Sequence, residues 1–295
     1  MTKKIALIAY GLIMSSFVFA QSSLQKRLES MVDEWGQQTG IAFVDTNGDA
    51  TGINMDRPFP LLSVVKMPQA LAVCDHLRSH HIPLGHIINV KKRELKPDTW
   101  SPIRDEWPKG GQMTIRYVLE QSLINSDNNA CDILFRRFVS PRKVDRYLHN
   151  IGIDDCNIRY TEQNMHDDIN RCYQNWMTPS AAVRLLEYVY DTKDTDEYTQ
   201  FLWDTMAKCQ TGKNRIPCYI SQPDMLIVHK TGTGPMDQSG RLMALNDIAC
   251  IVLPDGSHVA LAVFVRDADK SLEECEEFIA RVAQVCMDYY YNKEK

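Results

Sequence analysis

Apolar positions along the chain change period as it proceeds, and those changes outline its plan. Ile5 to Phe19 is apolar and uncharged, follows Met1-Thr2-Lys3-Lys4, and closes at Val18-Phe19-Ala20. A basic start, a short apolar run and a small residue before the cut predict a secretory signal peptide over 1–20. The alternative, an uncleaved anchor, calls for a longer span. Leu24, Leu28, Met31 and Trp35 then recur at helical spacing, predicting a helix over 24–35. Ile41 to Asp45 and Gly52 to Met55 flank Thr46-Asn47-Gly48-Asp49, an Asn-Gly signal for a hairpin. The middle of the chain predicts helices over 63–79, 114–123, 129–138, 141–150, 178–191 and 195–208. From 225 the pattern turns to strands, over 225–228, 244–253 and 259–266, with Pro254-Asp255-Gly256 turning between the last two. Leu272, Cys275, Phe278, Ile279, Val282 and Cys286 share one face of a closing helix over 271–289, which is core packing rather than a cofactor box.

Strands at both ends with helices between them predict an α+β fold: an antiparallel sheet built from both chain ends, terminal helices covering one face, and an inserted all-helical region. The expected division is a leader over 1–20 and one domain over 21–295. Its α/β part would take 21–62 and 212–295, and its helical part 63–211.

Composition narrows the classes. With 44% apolar and 24% charged residues in 295, a buried core is available. The formal charge of −5 argues against nucleic acid, which needs a basic face. The mature protein should be exported to the periplasm or medium, off the membrane, and monomeric. Nine cysteines are an odd number without Cys-x-x-Cys or zinc spacing, so they read as small core residues with one or two disulfides among them. His76 and His80 stand four apart on a helix, but no acid or cysteine clearly joins them, so no metal is expected.

Three short motifs carry the chemistry. Ser63-Val64-Val65-Lys66 opens a helix after Pro60-Leu61-Leu62, placing a hydroxyl and an amine on one face beside the helix N-terminal amides. A serine becomes nucleophilic when a base takes its proton, and a partly desolvated lysine can be that base. Ser126-Asp127-Asn128 sits between two predicted helices, and Lys230-Thr231-Gly232-Thr233-Gly234 ends an apolar strand. Taken singly, each also reads as a cap, a loop or a strand end. Gly232-Thr233-Gly234 lacks the glycine pattern of a nucleotide site.

In this order and on these elements, Ser-x-x-Lys, Ser-Asp-Asn and Lys-Thr-Gly resemble the penicillin-recognising serine enzymes, and across the mature chain the sequence is similar to the class A β-lactamases. Glu162, in Tyr160-Thr161-Glu162-Gln163, stands where that family carries the glutamate that activates the deacylating water. Cell-wall D-Ala-D-Ala peptidases share the three motifs but generally lack it, and in a β-lactam sensor acylation itself would be the signal.

The resemblance implies Ser63 as nucleophile, Lys66 and Glu162 as bases, and Ser126 as relay to the ring nitrogen. It implies Lys230, Thr231, Gly232, Thr233 and Asn128 as the substrate grip, with backbone N–H groups of Ser63 and Thr233 as oxyanion hole, and no cofactor. Arg215 would clasp the substrate carboxylate with two hydrogen bonds alongside Thr233, and Trp100 would stand at the pocket mouth. Two departures point to a divergent subgroup similar to extended-spectrum cephalosporin-hydrolysing enzymes. His166 replaces an asparagine four residues after the glutamate, and Tyr160 and Asn175 stand where an arginine–aspartate brace is usual.

Overall fold

The computed structural model describes residues 23–237 and 239–293; the expected leader lies outside them. Among these residues, the five strands of the main sheet are β1 (Gln38–Val44), β2 (Ala50–Ile53), β3 (Leu226–Thr233), β4 (Leu242–Val252) and β5 (His258–Ala268). They pair antiparallel in the order β2-β1-β5-β4-β3, so the two chain ends share one sheet.

Strand alternation divides the core into two layers. Ile41, Phe43, Leu261 and Val263 point to one side and pack with Leu24 and Leu28 of the helix over 23–35 and with Phe278, Ile279 and Val282 of the helix Leu272–Lys293. Their neighbours Ala42, Ala260, Ala262 and Phe264 point to the other side, against Phe59, Val64 and the helical body. With both faces covered, the middle of the sheet carries near-continuous apolar runs, as in Leu242–Val252.

The expected helices are present with ends shifted by a few residues: Lys66–Ser79, Ile115–Ile124, Asn128–Arg137, Pro141–Asn150, Pro179–Thr192 and Glu197–Met206. Thr114, Asp127, Thr178 and Asp196 cap four of them with side-chain oxygens. Helix Lys66–Ser79 threads the core and is buried from Lys66 through Cys74. That central burial holds Ser63, one turn upstream, at the junction of sheet and helical body.

Several elements were not anticipated. Ile87–Lys91 pairs with Gly110–Thr114, and Phe59–Pro60, Trp176–Met177 and Cys156–Asn157 form a small second sheet. The stretch around Glu162, outside every helix expected from the sequence, is a helix over Glu162–Asp167 capped by Thr161. These pieces are too short to show a period. The expected disulfides are corrected: among the described residues all nine cysteines are free thiols, seven of them buried in the core. No helix among the described residues is long and apolar enough to cross a membrane.

Candidate active site

Ser63 lies in a 3-10 turn, Leu62–Val65, that runs directly into helix Lys66–Ser79. Leu62 before it has φ 49° and Ser126 has φ 57°, a left-handed conformation that costs a side-chain-bearing residue on the order of 1–3 kcal/mol. Both conformations turn a motif serine toward a shared cavity of about 220 Å³ lined by Ser63, Trp100, Ser126, Asn128, Thr211, Thr231 and Thr233.

Lys66 is fully buried, and its Nζ donates to Ser63 Oγ at 2.6 Å, Asn128 Oδ1 at 2.7 Å and Glu162 Oε1 at 2.5 Å. Glu162 Oε1 lies 3.5 Å from Ser63 Oγ. Three acceptors take all three hydrogens of an ammonium, so in this arrangement Lys66 has no lone pair for the serine proton. A proton passed to Glu162 would free one.

Lys230, at the end of β3, is also fully buried, and donates to Ser126 Oγ and to its neighbour Thr231 O, each at 3.0 Å. Burial pushes its ammonium down to about 8; Cys209 opposes that shift and Lys66 reinforces it. Gly232 has a steric reason: a Cβ there would stand 2.5 Å from Leu61 O, against the turn that carries Ser63. Asn246, across from Gly232 on β4, clamps the same turn by donating to Pro60 O at 2.8 Å and Leu61 O at 3.1 Å.

The Glu162 helix is held from two sides. Asp132 accepts from the N–H groups of Glu162 at 2.9 Å and Gln163 at 3.1 Å. Burial, with Glu162 nearby, pushes the Asp132 carboxyl up to about 6. Asn175, fully buried, accepts from Arg159 and Tyr160 N–H at 2.8 and 2.9 Å and donates to Tyr160 O at 2.8 Å. A neutral amide thus braces the segment where a charged pair was the usual expectation.

Other expected residues fall as follows. Trp100 is 64% exposed at the cavity mouth, its indole N–H donating to Asn125 O at 2.8 Å. His166 is exposed one turn after Glu162 and lines an adjoining cavity of about 460 Å³. Asn128 donates one amide hydrogen to Thr99 Oγ1 at 2.7 Å, leaving the other for a ligand. Thr231 is buried, reaching Thr211 Oγ1 at 2.6 Å.

Arg215 departs from expectation. It is buried and spends four N–H groups on Glu276, Gly232 O, Asn246 O and, at 2.7 Å, Thr233 Oγ1. The clasp of two hydrogen bonds on a substrate carboxylate is therefore corrected: one guanidinium N–H is left, and the side chain orients Thr233 instead. Sequence reasoning missed Asn246, Asp132, Thr99 and Thr211. The available signal was a polar residue inside an apolar run, as Asn246-Asp247 interrupts β4.

Comparison with known proteins places this geometry. A family model described as the β-lactamase enzyme family matches residues 23–290. A β-lactamase of Bacteroides uniformis is 35% identical over 291 residues, covering 96% of this chain and 97% of that one. The crystal structure of a class A β-lactamase from Bacteroides cellulosilyticus is similar with a TM-score of 0.87 at 31% identity, covering 92% of this chain and 99% of that one. That of the TLA-1 extended-spectrum β-lactamase has a TM-score of 0.88 at 33% identity, covering 92% and 99%.

Proposed function

This chain belongs to the β-lactamase enzyme family, and we propose that it hydrolyses the β-lactam ring of penicillins and cephalosporins through an acyl-enzyme on Ser63, conferring resistance. The observation that carries the reading is Glu162 Oε1 at 2.5 Å from Lys66 Nζ and 3.5 Å from Ser63 Oγ. One carboxylate can then serve both halves of the reaction.

Ser63 Oγ attacks the lactam carbonyl. Its proton goes to Lys66 once Lys66 has passed one to Glu162, or through a water to Glu162; by either route Glu162 is protonated when the acyl bond forms. Backbone N–H groups of Ser63 and Thr233 hold the oxyanion, where losing one donor typically costs about 3–4 kcal/mol. Ser126 relays a proton to the departing ring nitrogen and recovers one from the Glu162–Lys66 pair, which leaves Glu162 a carboxylate again, while Lys230, 3.0 Å from Ser126 Oγ, supplies positive charge. Lys230 and the hydroxyls of Thr231 and Thr233 take the substrate carboxylate, Arg215 orienting Thr233. Asn128 holds the side-chain amide, and Trp100 and His166 border the entrance. Glu162 then activates water against the Ser63 ester.

Export, with residues 1–20 removed, and action as a monomer complete the reading; the export is supported by the basic, apolar and small-residue pattern of that segment. Mixing the purified mature protein with a chromogenic cephalosporin tests the activity. Many turnovers per molecule are expected. A single stoichiometric burst would replace hydrolysis with a peptidase or sensor role.

A further inference from the structure

Behind Lys230 a line of polar groups crosses the molecule. His229, buried on β3, has Nδ1 3.0 Å from Asp247 Oδ1 on β4, and Asp247 Oδ2 accepts the Ile216 N–H at 3.2 Å. His229 also acts electrostatically on Cys209, a partly exposed cysteine just after helix Glu197–Met206. Cys209 Sγ lies 3.3 Å from Thr211 Oγ1, and Thr211 Oγ1 lies 2.6 Å from Thr231 Oγ1. Thr211 and Thr231 both line the cavity that holds Ser63 and Ser126. A hydrogen-bonded path therefore runs from the Cys209 sulfur, through Thr211, to a hydroxyl on the pocket wall, with the His229–Asp247 pair behind the sulfur. In both links either atom can donate, so the direction is decided at the sulfur.

Resting on the reading of this pocket as a β-lactam site, we propose that Cys209 is a positioning residue: acting through Thr211, its sulfur sets whether the Thr231 hydroxyl hydrogen points into the pocket, and so whether Thr231 can donate to the substrate carboxylate. With the proton on sulfur, S–H donates to Thr211, Thr211 O–H donates to Thr231, and Thr231 O–H is left to donate to the substrate. With the proton lost to solvent, the thiolate accepts from Thr211. Thr211 then accepts from Thr231, and Thr231 offers an incoming carboxylate only lone pairs.

The surroundings make both states accessible near neutrality. Burial lifts the Cys209 thiol, but His229, with Lys230 and Thr211, outweighs it and brings the thiol to about 7. Burial lowers His229, yet the charge and hydrogen bond of Asp247 on the neighbouring strand hold it up to about 10, so it stays cationic while the sulfur titrates. Lys208 lies on the cysteine's own segment and is exposed. Low pH thus favours the outward-donating chain, and KM should rise as pH passes through about 7.

The test is KM and kcat for a chromogenic cephalosporin between pH 5.5 and 8.5, on the mature wild type, Cys209→Ser and Cys209→Asp, with circular dichroism to verify folding. The wild-type KM should rise about tenfold across neutrality, the loss of one hydrogen bond to a charged group. Cys209→Ser, which does not ionise in this range, should keep the low KM through neutrality and lose it only as Lys230 discharges near 8, and Cys209→Asp, a standing acceptor, should show the high one from the start, with kcat not following KM. Alkylation of Cys209 by iodoacetamide, which forms S–C and releases iodide, is followed by peptide mass, so that Cys218 is resolved from it; its rate should have a midpoint near 7. The same KM profile in wild type and Cys209→Ser, or an alkylation midpoint near 9, overturns the inference whether or not Cys209→Asp folds. No turnover by the wild type would sink the reading of the pocket and this inference together, whereas turnover with matching profiles sinks the inference alone.

Discussion

The two motif lysines are both fully buried and are held in opposite ways. Lys66 touches a carboxylate, Glu162, and the hydroxyl that Glu162 also approaches. Lys230 touches only uncharged oxygens, of Ser126 and Thr231, with the Cys209 and Asp247 charges acting from further away. A buried ammonium in contact with a carboxylate belongs to a proton-exchanging pair. One surrounded by neutral acceptors is a fixed charge, and burial weakens its hold on its proton. The same residue type is thus set to two tasks by the presence or absence of one contact.

The sharpest way to break this contrast is to remove the carboxylate. Glu162→Gln should leave a slowed acylation burst, with Lys66 as the one remaining base, and cut steady turnover by at least about a thousandfold, as expected when a general base is lost. Chromogenic turnover, with mass analysis of Ser63 for a trapped acyl group, reads both; a surviving steady rate would erase the distinction. Gly232→Ala comes next, because its Cβ meets Leu61 O at 2.5 Å and forces β3 away from the Ser63 turn. A shift of that kind should lower kcat/KM by about a hundredfold in a folded protein.

The Lys230 side is probed by pH. Its ammonium, held down to about 8, carries charge below that value and loses it above. A plot of kcat/KM should therefore fall about tenfold per unit beyond pH 8. Lys230→Arg, which stays charged, should abolish that limb whatever its absolute rate; a limb at the same place would show that another group titrates. The smallest effect concerns the Glu162 support. Asn175→Ala strands two N–H groups and should lower stability by about 1–3 kcal/mol, read as the thermal midpoint, with proteolysis of the segment 159–175 accelerated.

Most helices and the five main strands were legible because their residues repeat at 3.6 or 2 positions over many residues. The pieces missed were two to six residues long, such as Glu162–Asp167, where no period can establish itself. The three motifs were legible because each is a local string on a recognisable element. Their supports were not: Asn246 reaches Pro60 and Leu61 from the far end of the chain, and Asp132 reaches Glu162 and Gln163 from a different helix.

By itself, the sequence determined which side chains are the candidates for chemistry, which helices and strands present them, and that the chain ends meet in one sheet, since these follow from short strings and repeating apolar positions. Only the tertiary structure decided what each group faces: Arg215 given to Thr233 and strand carbonyls, Asn175 bracing the Glu162 segment, all nine thiols free, and Cys209 joined through Thr211 to the pocket wall. The physical reason is that a buried polar group must find its hydrogen-bond partner wherever folding brings one within about 3 Å, and proximity in space is not written in the order of the residues.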